Sequence, residues 1–185
     1  MSEVEPRDTE SFYLPQHAVI KPTSTTTKVH VVFDGSVKSS SGLALNDALL
    51  TGPTIQDDLF TLLTRFRTHA YVLTGDLEKM YRQFLVRRED HRYQRILWRD
   101  DDGKIKTYEL KTVTFGLSSA PFLAIRNIQQ LAEDERDNAP IAATILQRDL
   151  YVDDLLTGAD TYEAAMDLRN QTIELLQRGG LRIRQ

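Results

Sequence analysis

The chain has 185 residues, 41% apolar and 27% charged, with a formal net charge of −4 and no cysteine. That length fits one domain with a real core, or a compact domain with a small lobe, and the composition is ordinary for a soluble globular protein. Disulfides and cysteine-ligated zinc are excluded; no apolar run approaches the roughly eighteen residues of a membrane span, and the acidic start Met1–Glu10 does not read as a signal peptide.

Residues 1–27 show little periodicity, with Pro6, Pro15 and Pro22 and a Thr23-Ser24-Thr25-Thr26-Thr27 tract, and are predicted to be an extended or partly disordered lead-in. Lys28 to Asp34 is rich in β-branched residues and predicts a strand, followed by a Ser/Gly loop from Ser36 to Gly42. Thr54 predicts a helix N-cap, because Ile55, Leu59, Leu62, Leu63 and Phe66 follow at helical spacing with Asp57 and Asp58 in the first turn. Tyr71 to Asp76 predicts a strand that ends in a carboxylate.

Gln83 to Val86 and Tyr93 to Trp98 predict further strands. Asp100-Asp101-Asp102-Gly103 predicts the turn that pairs the second of them with Ile105–Leu110. Ser118 or Ser119 caps a helix with Pro121 in its first turn, running through Phe122, Ile125, Ile128, Gln129 and Ala132. Two apolar runs, Ile145–Leu150 and Leu155–Gly158, flank Tyr151-Val152-Asp153-Asp154 and predict a β-hairpin whose tight connection carries both aspartates. Thr161 caps a last helix that Gly179-Gly180 terminates, and Leu181–Gln185 begins a strand. Strands interleaved with helices predict an α+β fold, an antiparallel-rich sheet packed on helices.

Adjacent like charges at a hairpin tip call for a positive partner. With no cysteine or histidine beside them, the fitting partner is a hard, oxygen-loving cation such as Mg²⁺. Asp76, at the end of a separate strand, can add a third carboxylate on one side of a sheet. Such a cluster can hold two divalent ions about 4 Å apart, the arrangement used in phosphoryl transfer. The plain alternative is that these aspartates sit in polar turns.

Asp76-Leu77-Glu78-Lys79-Met80-Tyr81 together with Tyr151-Val152-Asp153-Asp154 resembles the palm of a reverse transcriptase, and Phe115-Gly116-Leu117-Ser118-Ser119-Ala120-Pro121-Phe122 resembles that family's intervening motif. From Leu14 to Gly180 the text is similar to the polymerase of BEL/Pao retrotransposons. The resemblance implies fingers and palm over residues 28–185, cut before a thumb and ribonuclease H. It implies an RNA-directed DNA polymerase with two Mg²⁺ (or Mn²⁺) ions, taking deoxynucleoside triphosphates on an RNA or DNA template-primer. The protein would be a cytoplasmic part of a retroelement polyprotein, inside virus-like particles included, with no membrane partner.

By the same resemblance, Asp76 and Asp153 are the principal metal ligands, Asp154 is auxiliary, and the backbone carbonyl of Leu77 adds an oxygen. Tyr81 is the aromatic floor beneath the incoming sugar, where a ring would clash with a ribose 2′-hydroxyl. Phe115 stands where retroviral relatives carry Gln, which exchanges a hydrogen bond for stacking or packing, and Gly116 permits close backbone approach. His30 stands where the family carries Arg as a triphosphate contact; histidine is weaker there and pH-dependent, and Lys28 could partly substitute. Tyr151 is placed at the template-primer.

Basic side chains are concentrated between residues 61 and 111, which softens the objection that a net negative chain would avoid nucleic acid. Arg82, Arg87, Arg88, Arg92, Arg95 and Arg99 lie there beside Tyr93 and Trp98 and suit backbone and base contacts to a template; the alternative is a solvated strand face. A non-catalytic relic that binds nucleic acid or protein is the competing reading of the whole chain.

Overall fold

The computed structural model describes residues 1–5, 10–23 and 28–184. In chain order the elements are β1 (Ser2–Val4), β2 (Gln16–Ile20), β3 (Val29–Phe33), α1 (Leu45–Ala48), α2 (Leu59–Phe66), β4 (Tyr71–Leu77), β5 (Arg95–Arg99), β6 (Ile105–Glu109), α3 (Ala120–Asp134), α4 (Pro140–Arg148), β7 (Leu150–Tyr151), β8 (Asp154–Ala159), α5 (Tyr162–Arg178) and β9 (Ile183–Arg184). Short 3-10 turns cover Met80–Gln83 and Arg88–Tyr93. All three sheets are antiparallel, so the α+β class predicted from sequence is the class observed.

The chain divides into two compact units, each built from two separate stretches of sequence. The first comprises Met1–Gly52 and Phe84–Ala120. It contains the sheet β1-β6-β5 and the hairpin β2-β3. Its core includes Leu14, Phe33, Leu45, Phe84, Ile96, Val113 and Leu117. Two stretches of the expected extended lead-in form paired strands. Ser2–Val4 pairs with Thr107–Glu109, and Gln16–Ile20 pairs with Val29–Phe33. These pairings satisfy backbone donors and acceptors that periodicity within 1–27 could not reveal, because β1 finds its partner about a hundred residues away. The Ser24–Thr27 part of the threonine tract and Pro6 lie outside the described residues.

The second unit comprises Pro53–Gln83 and Pro121–Gln185, and its sheet runs β7-β8-β4-β9. Leu62, Leu77, Met80, Ile128, Ile145, Leu146, Leu155, Leu175 and Leu176 form its core. Helix α2 starts later than expected: its cap is Asp58, whose carboxylate accepts the Thr61 amide at 2.9 Å, and not Thr54. Thr161 caps α5 as predicted by accepting the Ala164 amide. Residues Ile145–Arg148 are the last turn of a helix instead of a hairpin arm. Pro140 opens α4 at a position where no amide donor is missed, and Ala142, Ala143, Ile145 and Leu146 bury one helical face. The stretch Gln83–Val86 is likewise no strand: Gln83 ends a 3-10 turn and Leu85 makes one isolated bridge to Thr112.

Candidate active site

Strands β4 and β8 pair in a register that sets Asp76 opposite Asp154, Gly75 opposite Leu155 and Leu73 opposite Thr157. Side chains alternate along a strand, so Asp76 and Asp154 share one face while Leu155 and Thr157 are buried on the other. Both carboxyl-bearing residues are exposed. The β7–β8 hairpin closes on Tyr151↔Asp154, leaving Val152 and Asp153 as its two connecting residues. Val152 has φ +57, a left-handed conformation suited to glycine and strained for a β-branched side chain. The Leu77 amide donates to the Asp153 carbonyl at 2.8 Å and ties this tip to the end of β4. Leu77 itself points its side chain into the core.

The three aspartates therefore gather around one strand end, and no lysine or arginine among the described residues forms an ion pair with any of them. Burial, then the charges of Asp153 and Asp76, push the Asp154 carboxyl above its usual value. The donor set is all oxygen and anionic, which fits a hard divalent cation in kind. Among the described residues, however, no three His, Asp or Glu side chains come together as a metal-ligating group. Tyr81 follows on the 3-10 turn after Lys79, itself at φ +51. Burial, then the charge of Asp153, raise its hydroxyl above the ordinary tyrosine value, so it stays protonated at neutral pH. Arg82 is exposed on the same turn, and Tyr151 is half-buried beside Asp154 in the hairpin.

Lys28, His30, Phe115, Gly116, Arg87 and Arg92 belong to the other unit. Lys28 and His30 are exposed, the latter on β3 opposite Val19. Phe115 packs against Phe33, with ring centroids 5.3 Å apart. Gly116 has φ +90, and a Cβ there would lie 2.2 Å from the Phe33 carbonyl oxygen. The close approach expected of this glycine is thus its structural requirement.

Of the arginines, Arg95 is not available to a template. It is 5% exposed, and its guanidinium donates twice to Glu109, its partner across the β5–β6 pair, at 3.0 and 2.8 Å. A buried cation persists only when paired in this way. Arg92 lies over the Tyr93 ring at 5.0 Å and pairs with Glu10 at 3.3 Å. Arg99 donates to the Gly103 carbonyl at 2.8 Å, whereas Arg87 and Arg88 are exposed.

Two residues that sequence reasoning passed over organise these regions. Asn46 donates to Ser36 Oγ (2.9 Å) and the Gly116 carbonyl (3.1 Å) and accepts from the Ser118 amide (2.9 Å), so one amide side chain fixes the turn that carries Phe115 and Gly116. Asp149 is 1% exposed and binds Arg65, Arg148 and Thr157. Its signal was a charged residue inside an apolar run, which demands buried partners.

No protein-family model matches this chain, and no curated protein matches it in sequence. Solved structures do. Native prototype foamy virus protease–reverse transcriptase superposes with a TM-score of 0.67 at 17% identity, covering 92% of this chain and 20% of that one. The CSH mutant of the same protein gives a TM-score of 0.69 at 20% identity with the same coverage. The fold is therefore reverse-transcriptase-like. The chain spans about a fifth of the length of these structures. No helix among the described residues is long and apolar enough to cross a membrane.

Proposed function

We propose that this chain is the fingers–palm part of an RNA-directed DNA polymerase, a reverse transcriptase of the BEL/Pao type. The observation that carries the reading is the β4–β8 register: it sets two like charges directly opposite each other, with a third on a strained connection, while Arg184, opposite Asp76 on β9, is engaged by Glu78. Like charges so placed destabilise a sheet, and a divalent cation relieves them.

In this reading Asp76, Asp153 and Asp154 would hold Mg²⁺ or Mn²⁺, with the Leu77 carbonyl as an added oxygen. Bound there, the ions would acidify the primer 3′-hydroxyl and neutralise the triphosphate and leaving pyrophosphate. The Leu77–Asp153 hydrogen bond holds the hairpin tip at the end of β4. The protonated Tyr81 ring would stand as a wall against a 2′-hydroxyl and favour deoxynucleotides. Lys28 and His30 would meet the triphosphate, with Phe115 and Gly116 shaping the nucleotide site. Exposed Arg82 and Arg87, with Arg92 and Tyr151, would contact template and primer. The remainder of a retroelement polyprotein, soluble in the cytoplasm or in virus-like particles, would supply thumb and ribonuclease H.

The test has two parts. Calorimetry should find Mn²⁺ or Mg²⁺ binding to the wild-type chain and its loss in a folded Asp153→Asn variant; equal affinity in both would remove the site. Primer extension on primed RNA with deoxynucleotides should then be metal-dependent in the longest polypeptide the gene encodes. The second reading, a relic without catalysis, is favoured by one observation, the failure of the three carboxylates to close into a ligating group. An inactive long polypeptide with the three aspartates intact would decide for it.

A further inference from the structure

Of the hairpin that carries Asp153 and Asp154, the β8 arm is held by six pairs with β4, but the β7 arm has little of its own to hold it. Strand β7 is two residues long and pairs with β8 only through Leu150↔Leu155 and Tyr151↔Asp154. Its tip contains a valine at φ +57, a conformation that persists only where surrounding structure imposes it. An isolated two-stranded ribbon of this size would be marginal. Something at its base must therefore fix it.

That base is a buried carboxylate. Asp149 Oδ1 accepts from Arg65 Nε at 3.2 Å and Arg148 Nε at 2.8 Å, while Oδ2 accepts from Arg148 Nη2 at 2.9 Å and Thr157 Oγ1 at 2.8 Å. The Asp149 backbone carbonyl also accepts the Leu156 amide at 2.9 Å. Thr157, 1% exposed, lies on the far arm of the hairpin. Arg65 comes from α2, where it also pairs with Asp57 at 2.9 Å and donates to the Arg148 carbonyl. One side chain thus joins both arms of the hairpin to a helix outside it. Arg148, though partly exposed, contributes a two-pronged contact from the residue next to Asp149, so it satisfies the carboxylate without tying it to another element.

We propose that Asp149, with Thr157 and Arg65, is a positioning element that sets where Asp153 and Asp154 stand relative to Asp76. It touches neither substrate nor ion, and acts through the two arms it joins. Misplacement of a reacting group by about 1 Å can cost on the order of 10²-fold in rate, so a rigid base matters as much as the ligands themselves. The inference rests on the polymerase reading for its functional meaning, but the geometry it asserts stands apart from that reading.

The test uses the full chain and two substitutions at Thr157. Thr157→Val keeps the shape and removes one hydrogen bond to Asp149; Thr157→Ser restores the hydroxyl. The first readout is exchange of the Leu77 amide, which donates to the Asp153 carbonyl. It should quicken about fivefold in Thr157→Val and return in Thr157→Ser, with the amides of α5 unchanged. The second is Mn²⁺ titration, in which Thr157→Val should weaken affinity by a similar factor and Thr157→Ser should restore it. Should Thr157→Val unfold, Arg65→Lys, which keeps the charge and loses the Nε contact, takes its place with the same expectations. Unchanged Leu77 exchange, or unchanged Mn²⁺ affinity with faster exchange, overturns the positioning role. A wild-type chain that binds no Mn²⁺ sinks the polymerase reading instead, and Leu77 exchange alone then decides whether Asp149 positions the tip.

Discussion

Replacing Gly116 by alanine isolates the tightest backbone contact in the first unit. Two costs apply. At φ +90 any side chain is strained, which costs about 1–2 kcal/mol. The new Cβ would also sit 2.2 Å from the Phe33 carbonyl oxygen, a backbone atom that cannot rotate away. The turn must then shift by most of an ångström, which disturbs the Asn46 bond to the Gly116 carbonyl and the Phe33–Phe115 packing. Each of these two losses is worth about 1 kcal/mol, so the total comes to roughly 3–4 kcal/mol. Gly103→Ala is the matched control: its φ is +78 but nothing lies within 4 Å of the added Cβ, so only the conformational cost of about 1 kcal/mol applies. Both positions belong to the unit that holds Trp98, the single tryptophan, so urea unfolding followed by its fluorescence reports on both. With a urea slope of about 1–3 kcal/mol per molar, Gly116→Ala should lower the midpoint by about 1–4 M and Gly103→Ala by roughly a third as much. Equal shifts in the two variants would refute the contact with Phe33.

Three further outcomes follow from individual contacts. Asp58→Ala removes the cap of α2 and should cost about 1 kcal/mol of stability in chemical unfolding, while Thr54→Ala should cost almost nothing. Asp154→Asn should stabilise the metal-free chain by less than about 1 kcal/mol at pH 7, because the raised folded pKa of Asp154 means that its ionised form is disfavoured in the fold. The advantage should shrink as pH falls through that raised pKa, where the wild-type carboxyl becomes neutral, and thermal melts across this range check it. Tyr81→Val, in the longest polypeptide that extends a primer, should raise ribonucleotide incorporation relative to deoxynucleotide; unchanged sugar selectivity would remove the gate role and leave the metal site standing.

Local signals were legible and non-local ones were not. Strand β4, the turn at Asp100–Gly103 and helix α5 with its Thr161 cap could be read because each is specified by neighbours within a few residues. Helix α4 was missed because Ile145-Leu146 and Leu150 read as one strand-length run, although Pro140 and the helical spacing of Ala142, Ala143, Ile145 and Leu146 favour a helix. The pairing of Ser2–Val4 with Thr107–Glu109 has no local signature at all. The candidate site divides in the same way: its aspartates stand out as charges in apolar text, while Asn46 and Asp149 act through partners distant in sequence. Arg95 illustrates the converse, since its basic character was visible and its burial against Glu109 was not.

In the second unit, departures from ordinary structural rules concentrate around the hairpin tip. Helices α2 and α5 are capped by Asp58 and Thr161, the buried threonine Thr157 is hydrogen-bonded, and the deepest carboxylate, Asp149, is matched by two guanidinium groups. For Asp149, burial acts to raise the pKa, but hydrogen bonds from Arg148 and Thr157 and the charges of Arg148 and Arg65 outweigh it and hold the carboxyl below its usual value. About ten residues of sequence around the hairpin tip break the pattern. Aspartates face each other across β4 and β8, a valine occupies a left-handed connection, and Asp154 is held above its usual pKa. Each departure costs stability, and a sequence selected for stability alone would relieve them with glycine at position 152 and one Asp-to-Lys exchange. Their coincidence at a single strand end, braced from below by a fully satisfied buried carboxylate, is what motivates the proposed site over a polar turn. A chain in which Val152-Asp153 is replaced by Gly-Asn and Asp154 by Lys should therefore fold more stably in urea unfolding and bind no divalent ion in Mn²⁺ titration.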